Sequence, residues 1–397
     1  MRSLSARLSA STPSATVAVA DRARRLKASG IDVISLATGD PDFATPAHII
    51  EAAEKAMRAG DTHYPPSRGR AELVEAIVDK LARENGVDVA AGQVIVTPGA
   101  KWALFIALAA LVDPGDEVIV LDPSWVSYAP MIALNGGTPI RIGLSPTDDY
   151  AIREADLRSV VSDRTKAILV NSPNNPTGRM LTPDELAVIC AVARSEDLWV
   201  VSDEIYEHLR YDDRVHVSPA TQPGMADRTI IINGFSKAYA MTGWRLGWLA
   251  APEPVAAVAM NLHSQGVTSA ASFSMAGGVA ALTRSQDCVT EMVTEYGARR
   301  SFMVGALNAV PGIRCAAPDG AFYLFPRFGA GPGDLAGPRD SVATAEALLE
   351  ATAIAPVPGI AFGEAGEGHL RFTIATARAD LERAVDRLEE AAATVAS

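Results

Sequence analysis

Cysteine is scarce in this chain: three in 397 residues, Cys190, Cys288 and Cys315. They stand far apart and match neither a CxxC nor a zinc-ligand spacing. This argues against a disulfide framework and a structural metal, and for a reducing, cytoplasmic compartment. Long hydrophobic runs are also lacking. The longest, Trp102 to Val112, is too short to cross a bilayer, and no apolar segment of signal-peptide character follows Arg2 and Arg7. Basic charge is in deficit, with 35 Lys and Arg against 47 Asp and Glu, a net charge of −12 and a pI near 5.0. Nucleic acid and anionic membrane surfaces are therefore not expected partners, because both demand clustered positive charge. Among the cations lysine is the rare one: six of the 35, the other 29 being arginine. Internal repeats and low-complexity tracts are absent.

What is present is a large apolar share, 48% of residues, enough for an extensive core and for two or three domains. The most informative stretch runs from Asn233 to Trp248, N-G-F-S-K-A-Y-A-M-T-G-W-R-L-G-W. An apolar strand, Thr229 to Ile232, leads into small residues, then Lys237, then Arg245 eight positions later. Where arginine is the default cation, a lysine between Ser236 and Ala238 points to a compact amine that loses its proton when desolvated. Schiff-base chemistry needs such an amine, and a guanidinium cannot provide it. A surface lysine in a turn is the competing reading, and the rest of the chain must decide.

Residues 1–30 read as an arm, with a break at Thr12-Pro13-Ser14 and then an arginine-rich amphipathic helix to Gly30. A short strand over 31–36 enters the turn-rich Gly39-Asp40-Pro41-Asp42-Phe43. Beyond Asn85-Gly86 apolar strands alternate with helices: strands at 94–97, 118–121, 139–144, 166–171, 198–202 and 229–232, helices at 101–112 and 126–135. Thr182-Pro183-Asp184-Glu185 is a capping box with proline at the first helical position, opening a helix to about Ser195. Such alternation predicts an α/β fold with a mostly parallel sheet covered on both faces, and ligands at the carboxyl ends of its strands. After Pro252 the pattern is helical to about Val310; Ile313 to Ser397 mixes short strands with helices, as a smaller α+β domain. Gly329 to Pro338 reads as a flexible loop and not a phosphate cradle, since no GK[ST] follows.

Polar or aromatic residues recur where strands end. Gly99-Ala100-Lys101 opens a helix whose first N–H groups can hold a phosphate. Trp125 follows Asp122-Pro123-Ser124, Asn174-Asn175-Pro176 follows the next parallel strand, and Asp203 ends another, with Tyr206 three residues on. Each alone is as well explained by a turn or by core packing. Four such strand ends together with Lys237 make a site.

Together these motifs resemble the class I (fold-type I) pyridoxal-phosphate aminotransferases, and within them the bacterial aspartate aminotransferase subgroup. The resemblance spans nearly the whole chain, from Pro13-Ser14-Ala15-Thr16-Val17-Ala18-Val19 to His369-Leu370-Arg371-Phe372. It implies a seven-stranded, mostly parallel sheet sandwiched by helices, with a smaller α+β domain drawn from both termini. The implied boundaries are 1–46 for the arm and part of the small domain, 47–290 for the large cofactor-binding domain and 291–397 for the small domain. It implies pyridoxal 5′-phosphate as cofactor, with Lys237 joined to its aldehyde carbon, Asp203 on the pyridine nitrogen, Asn175 and Tyr206 on the ring oxygen, and Trp125 stacked on the ring. Gly99, Ala100, Lys101, Ser236 and Arg245 would hold the phosphate. Tyr64 would reach the phosphate of a neighbouring subunit, so a homodimer is implied. Arg371 would grip the substrate α-carboxylate, with Gly39 closing over it. Lys101 and Thr16 would meet the distal carboxylate of an acidic amino acid, with Trp125 and Asn175 also lining the substrate side. Cis peptides at Asp122-Pro123 and Asn175-Pro176 are implied as well.

The implied activity is ping-pong transamination between aspartate or glutamate and 2-oxoglutarate or oxaloacetate. Departures stand beside it. Gly234 occupies the position three before the lysine where many relatives carry a phosphate-binding serine. Thr12 is uncharged where prephenate-using relatives carry a basic residue, and Arg68 and Trp102 crowd the expected site entrance. Alternatives are the same cofactor with another amino acid or another reaction, namely elimination, decarboxylation or oxidative deamination. Prephenate transamination and a non-enzymatic cofactor-binding sensor are others, although a sensor would add a basic DNA-binding module. An S-x-x-K acyl enzyme is excluded by Gly234, and the acids and histidine of 203–208 lack further metal ligands.

Overall fold

A computed structural model of the chain describes residues 4–9, 15–329 and 340–396. The expected break at Thr12-Pro13-Ser14 and residues 330–338 of the expected loop lie outside them. The described helices are α1 (Ala6–Ser9), α2 (Ala15–Ala28), α3 (Ala47–Arg58), α4 (Ala71–Lys80), α5 (Ala100–Leu111), α6 (Tyr128–Leu134) and α7 (Glu154–Val160). They continue with α8 (Pro183–Ser195), α9 (Glu253–Gly266), α10 (Ser272–Thr283), α11 (Asp287–Ala309), α12 (Ser341–Thr352) and α13 (Arg378–Ala396).

Strand β1 (Ile34–Ser35) precedes the seven strands of the main sheet: β2 (Val94–Thr97), β3 (Glu117–Asp122), β4 (Thr138–Gly143), β5 (Thr165–Asn171), β6 (Trp199–Asp203), β7 (Thr229–Gly234) and β8 (Gly247–Ala250). Their spatial order is β2-β8-β7-β6-β5-β3-β4. β3 through β7 run parallel, whereas β8 pairs antiparallel with both β2 and β7. The sheet is seven-stranded and mostly parallel, as the resemblance implies, and mixed only through β8, which the apolar pattern alone does not reveal. β8 escapes sequence reading because it is four residues long and starts at a glycine inside the Asn233–Trp248 stretch.

Burial on both faces explains the unbroken apolar strands. In β3, Val118 and Val120 join the cluster under α5 and α9, while Ile119 and Leu121 join the opposite cluster with Leu186 and Ile189 of α8. Two-residue periodicity sends alternate side chains to opposite layers. Helix α8 begins as the sequence predicts: the Thr182 hydroxyl accepts from the Glu185 N–H (3.2 Å) and the Glu185 carboxylate from the Thr182 N–H (2.9 Å). Beyond Pro252 the chain forms three separate helices, α9 to α11.

The remaining strands are short: β9 (Ile313–Arg314), β10 (Tyr323–Leu324), β11 (Arg327–Phe328), β12 (Ile354–Ala355), β13 (Val357–Pro358) and β14 (Leu370–Thr373). β1 pairs with β12, so the N-terminal segment is fastened to the C-terminal part of the chain, and β10-β14-β13 form a second small sheet. That sheet carries Tyr323 and Arg371 to the carboxyl ends of the main strands.

Candidate active site

Twelve of the thirteen expected site residues other than Tyr64 line one cavity of about 490 Å³: Thr16, Gly39, Ala100, Lys101, Trp125, Asn175, Asp203, Tyr206, Ser236, Lys237, Arg245 and Arg371. Gly99, the thirteenth, abuts Arg245 from the side. Tyr64 does not line the cavity; it is 90% exposed.

Lys237 leaves the turn after β7 and donates from Nζ to the Gly39 carbonyl (2.5 Å), with the Phe322 ring 5.6 Å away. Burial lowers its amine to about 8, opposed by Asp40 and helped by the cations Arg371 and Arg245. Asp203 ends β6. Its partners are neutral donors, the Tyr128 hydroxyl (2.7 Å) and the Ile205 N–H (3.3 Å), and burial raises its carboxyl to about 6 despite them. Such a carboxylate is suited to a cationic ligand group.

Arg371 is 2% exposed, on β14. Nη1 donates to the Asn175 side-chain oxygen (3.0 Å), Nη2 to the Ala37 carbonyl, and the guanidinium lies over Tyr323 (4.4 Å) and Phe362 (5.0 Å). Nε has no partner, and no carboxylate pairs with this side chain among the described residues. Burial lowers its pKa. A buried guanidinium without an anion is a binding site for one.

Of the further cations that line the cavity, Arg24, Lys101 and Arg245, the last two lie at its α5 end. Arg245 holds a left-handed φ of 52°, which is strained for a side-chain-bearing residue, and Nη1 bonds the Thr242 carbonyl (2.8 Å). Its Nη2 would sit 2.7 Å from a Cβ added to Gly99, whose φ of 90° favours glycine, so this turn brings the guanidinium beside the N-terminus of α5. That end, with its unpaired N–H groups, and Arg245 together form an anion cradle. Lys101 lies 4.8 Å over the Trp125 ring, and burial followed by Arg245 lowers its pKa.

Gly234 now has a physical reason. It pairs with Gly247 across β7 and β8, and a Cβ would approach the Gly247 Cα to 2.9 Å and the Leu246 carbonyl to 3.0 Å. A serine does not fit; Ser236, buried and lining the cavity, is the nearby hydroxyl. Gly39 is similarly constrained, since a Cβ would overlap the Tyr323 hydroxyl. Asp122-Pro123 and Asn175-Pro176 are cis as implied, and so is Ser172-Pro173.

Sequence reading missed Tyr128, Tyr323 and Asn171. Tyr323 shares a hydrogen bond with the Tyr206 hydroxyl (2.9 Å) and supports Arg371. Asn171 donates to the Asp203 carbonyl (2.9 Å) and accepts from the Asn175 N–H (2.8 Å), joining two strand ends. The crowding expected of Arg68 and Trp102 is corrected: neither lines the cavity. Arg68 donates to the Gly92 (2.6 Å) and Val94 (2.9 Å) carbonyls, and Trp102 to His263. Behind the site, candidate ligand atoms of Glu204, Glu207 and His216 come within 4.8 Å of one another, His216 being a third ligand residue from outside the segment 203–208. Glu207 pairs with the Lys80 ammonium, and His216 Nε2 lies 3.0 Å from the Glu204 carboxylate.

Fold and site together define an α/β enzyme built around a desolvated amine, a buried acid and two anion-binding ends of one cavity. The sequence matches the family model for aminotransferase class I and II over residues 31–388, and the chain belongs to that family. It is 42% identical over 393 residues to the aspartate aminotransferase of Musicola paradisiaca, covering 98% of this chain and 97% of that one. The aspartate/prephenate aminotransferase of Thermus thermophilus is 41% identical over 98% of both chains. Among solved structures, Thermus thermophilus aspartate aminotransferase with maleate superposes with a TM-score of 0.92 at 40% identity, covering 98% of this chain and 100% of that one.

Proposed function

We propose that the chain is a pyridoxal-phosphate-dependent transaminase that moves an amino group by ping-pong chemistry between aspartate or glutamate and 2-oxoglutarate or oxaloacetate. The observation that carries this reading is Arg371, a buried cation with no anionic partner among the described residues, in the same cavity as Lys237 and Asp203.

The residues fit the cofactor. Arg245, Ser236 and the Gly99–Lys101 end of α5 would hold its phosphate, and Asp203 its pyridine nitrogen. Asn175 and Tyr206 would hold its ring oxygen, Trp125 its ring face, and Lys237 its aldehyde carbon. When bound, pyridoxal phosphate supplies an electron sink for the bond that breaks at the substrate Cα. Asp203, ionised above pH about 6, keeps the ring nitrogen protonated. Lys237, with its amine near 8, has a neutral fraction at physiological pH and can take and return a proton at Cα. Arg371 orients the α-carboxylate, with Gly39 over it, and Lys101 and Thr16 face the distal carboxylate.

The exposed Tyr64 phenol, outside its own cavity, supports the homodimer reading, in which it would reach the site of another copy. The boundaries 1–46, 47–290 and 291–397 belong to the same proposal, supported by the β1–β12 pairing. A cytoplasmic setting is supported by three unpaired cysteines; no described helix is long and apolar enough to cross a membrane. The aspartate/prephenate relative favours a second reading, prephenate as an acceptor, tested by offering it in place of 2-oxoglutarate.

Lys101→Ala tests the substrate class. It is expected to lower kcat/KM for aspartate and glutamate about 10- to 100-fold, the worth of one charge-assisted contact, and to spare aromatic substrates. Equal losses for both classes in steady-state assays would remove Lys101 from the distal-carboxylate role.

A further inference from the structure

We infer that His263 is a positioning residue for the active site of the neighbouring subunit, acting through Tyr64. This rests on the reading that Tyr64 serves a second copy of the chain. Trp102 Nε1 lies 3.1 Å from His263 Nδ1, and His263 Nε2 lies 3.0 Å from the Ser67 carbonyl. An indole N–H only donates, so Nδ1 must accept and the imidazole proton sits on Nε2, where it donates to Ser67. His263 is fully buried, and burial lowers its pKa against the pull of the Ser67 contact. The ring is therefore neutral and held in one tautomer, linking two groups that it cannot link once protonated.

Both ends of this strut lead to the chemistry. Trp102 follows Lys101 in the first turn of α5, the turn whose N-terminus faces Arg245. Its ring is fixed by stacking on Phe105 (5.4 Å) and by lying against Gly266 of α9, where an added Cβ would come within 2.9 Å. At the other end, Ser67 and Arg68 form the tip of a turn closed by the Gly69 N–H on the Pro66 carbonyl (2.9 Å). Tyr64 enters this turn through Pro65 and Pro66, whose rings fix φ, so holding the Ser67 carbonyl narrows the backbone paths that present the exposed phenol. The strut thus runs from the phosphate end of one site to the side chain offered to the other. A polar link of this kind inside a packed core orients groups beyond what packing does.

The test is the dissociation constant of pyridoxal phosphate, read by fluorescence titration of the apoprotein, with thermal melting alongside. Tyr64→Phe is expected to weaken binding about tenfold, as for loss of one hydrogen bond to a charged group. His263→Leu, which removes both links, is expected to weaken it about fivefold. His263→Gln can accept from Trp102 and donate to Ser67, and is expected to return binding to within about twofold of the parent. In the Tyr64→Phe background His263→Leu should add nothing, because its effect passes through the phenol. If His263→Leu does not fold, Trp102→Phe, which keeps an aromatic ring beside Phe105 and removes the N–H together with the outer ring of the indole, carries the same cycle. Unchanged binding in Tyr64→Phe overturns the Tyr64 reading itself. A Tyr64→Phe effect with an equal added loss from His263→Leu in both backgrounds, or a folded His263→Gln that rescues nothing, overturns the role of His263 alone.

Discussion

Lys237→Ala is expected to abolish transamination, with kcat falling at least about 10⁴-fold, because in the proposed function one side chain would supply both the covalent anchor and the proton carrier. The visible absorption band of lysine-bound cofactor should vanish with it. The geometry makes the loss specific. Among the described residues Nζ has one hydrogen-bond partner, the Gly39 carbonyl, so little of the fold depends on it, and its lowered pKa is a cost of burial that alanine relieves. A melting temperature within a few degrees of the parent, about what a 1 kcal/mol change produces in a chain of this size, should therefore accompany the inactivity. Wild-type turnover in a folded Lys237→Ala variant would show that another amine does the work.

The second large effect falls on Arg371. Arg371→Leu is expected to lower kcat/KM about 10³-fold for dicarboxylic and aromatic amino acids alike, since every substrate presents an α-carboxylate and the paired charge-assisted bonds are lost together. Arg371→Lys keeps a charge without the planar fork and should recover only part. Stability should move the other way. A buried guanidinium with an unpartnered Nε and no carboxylate is a burden on the ligand-free fold, so leucine should leave the melting temperature unchanged or higher. Marked unfolding of Arg371→Leu, or losses confined to dicarboxylic substrates, would place the α-carboxylate elsewhere. The uniform loss separates Arg371 from Lys101, where the loss is selective.

Much of this site was legible in the sequence because an α/β sheet delivers strand ends to one edge: Trp125, Asn175, Asp203 and Lys237 each follow an apolar run, and position alone gathers them. Lysine scarcity singled out Lys237 among them. What stayed hidden depends on contacts that no local pattern encodes. Tyr128 meets Asp203 across 75 positions and Tyr323 meets Tyr206 across 117, and both phenols sit in stretches that read as ordinary helix or core strand. Gly234 was a departure without a cause until the antiparallel strand β8 brought Gly247 against it. Trp102 and Arg68 drew suspicion as bulky polar-tipped residues near the entrance, yet their hydrogen-bond partners, His263 and the Gly92 and Val94 carbonyls, lie in segments that sequence could not pair with them.

In the proposed reading, substrate class follows from two cations at fixed places, Arg371 for every amino acid and Lys101 for those with a second carboxylate. The direct measurement is a set of half-reactions: the enzyme loaded with pyridoxal phosphate, mixed in turn with aspartate, glutamate, alanine, phenylalanine and tyrosine, and followed by the decay of its visible band. Aspartate or glutamate is predicted to discharge the band fastest, with Lys101→Ala erasing that advantage. Faster discharge by a neutral or aromatic amino acid than by both acidic ones would contradict the assignment.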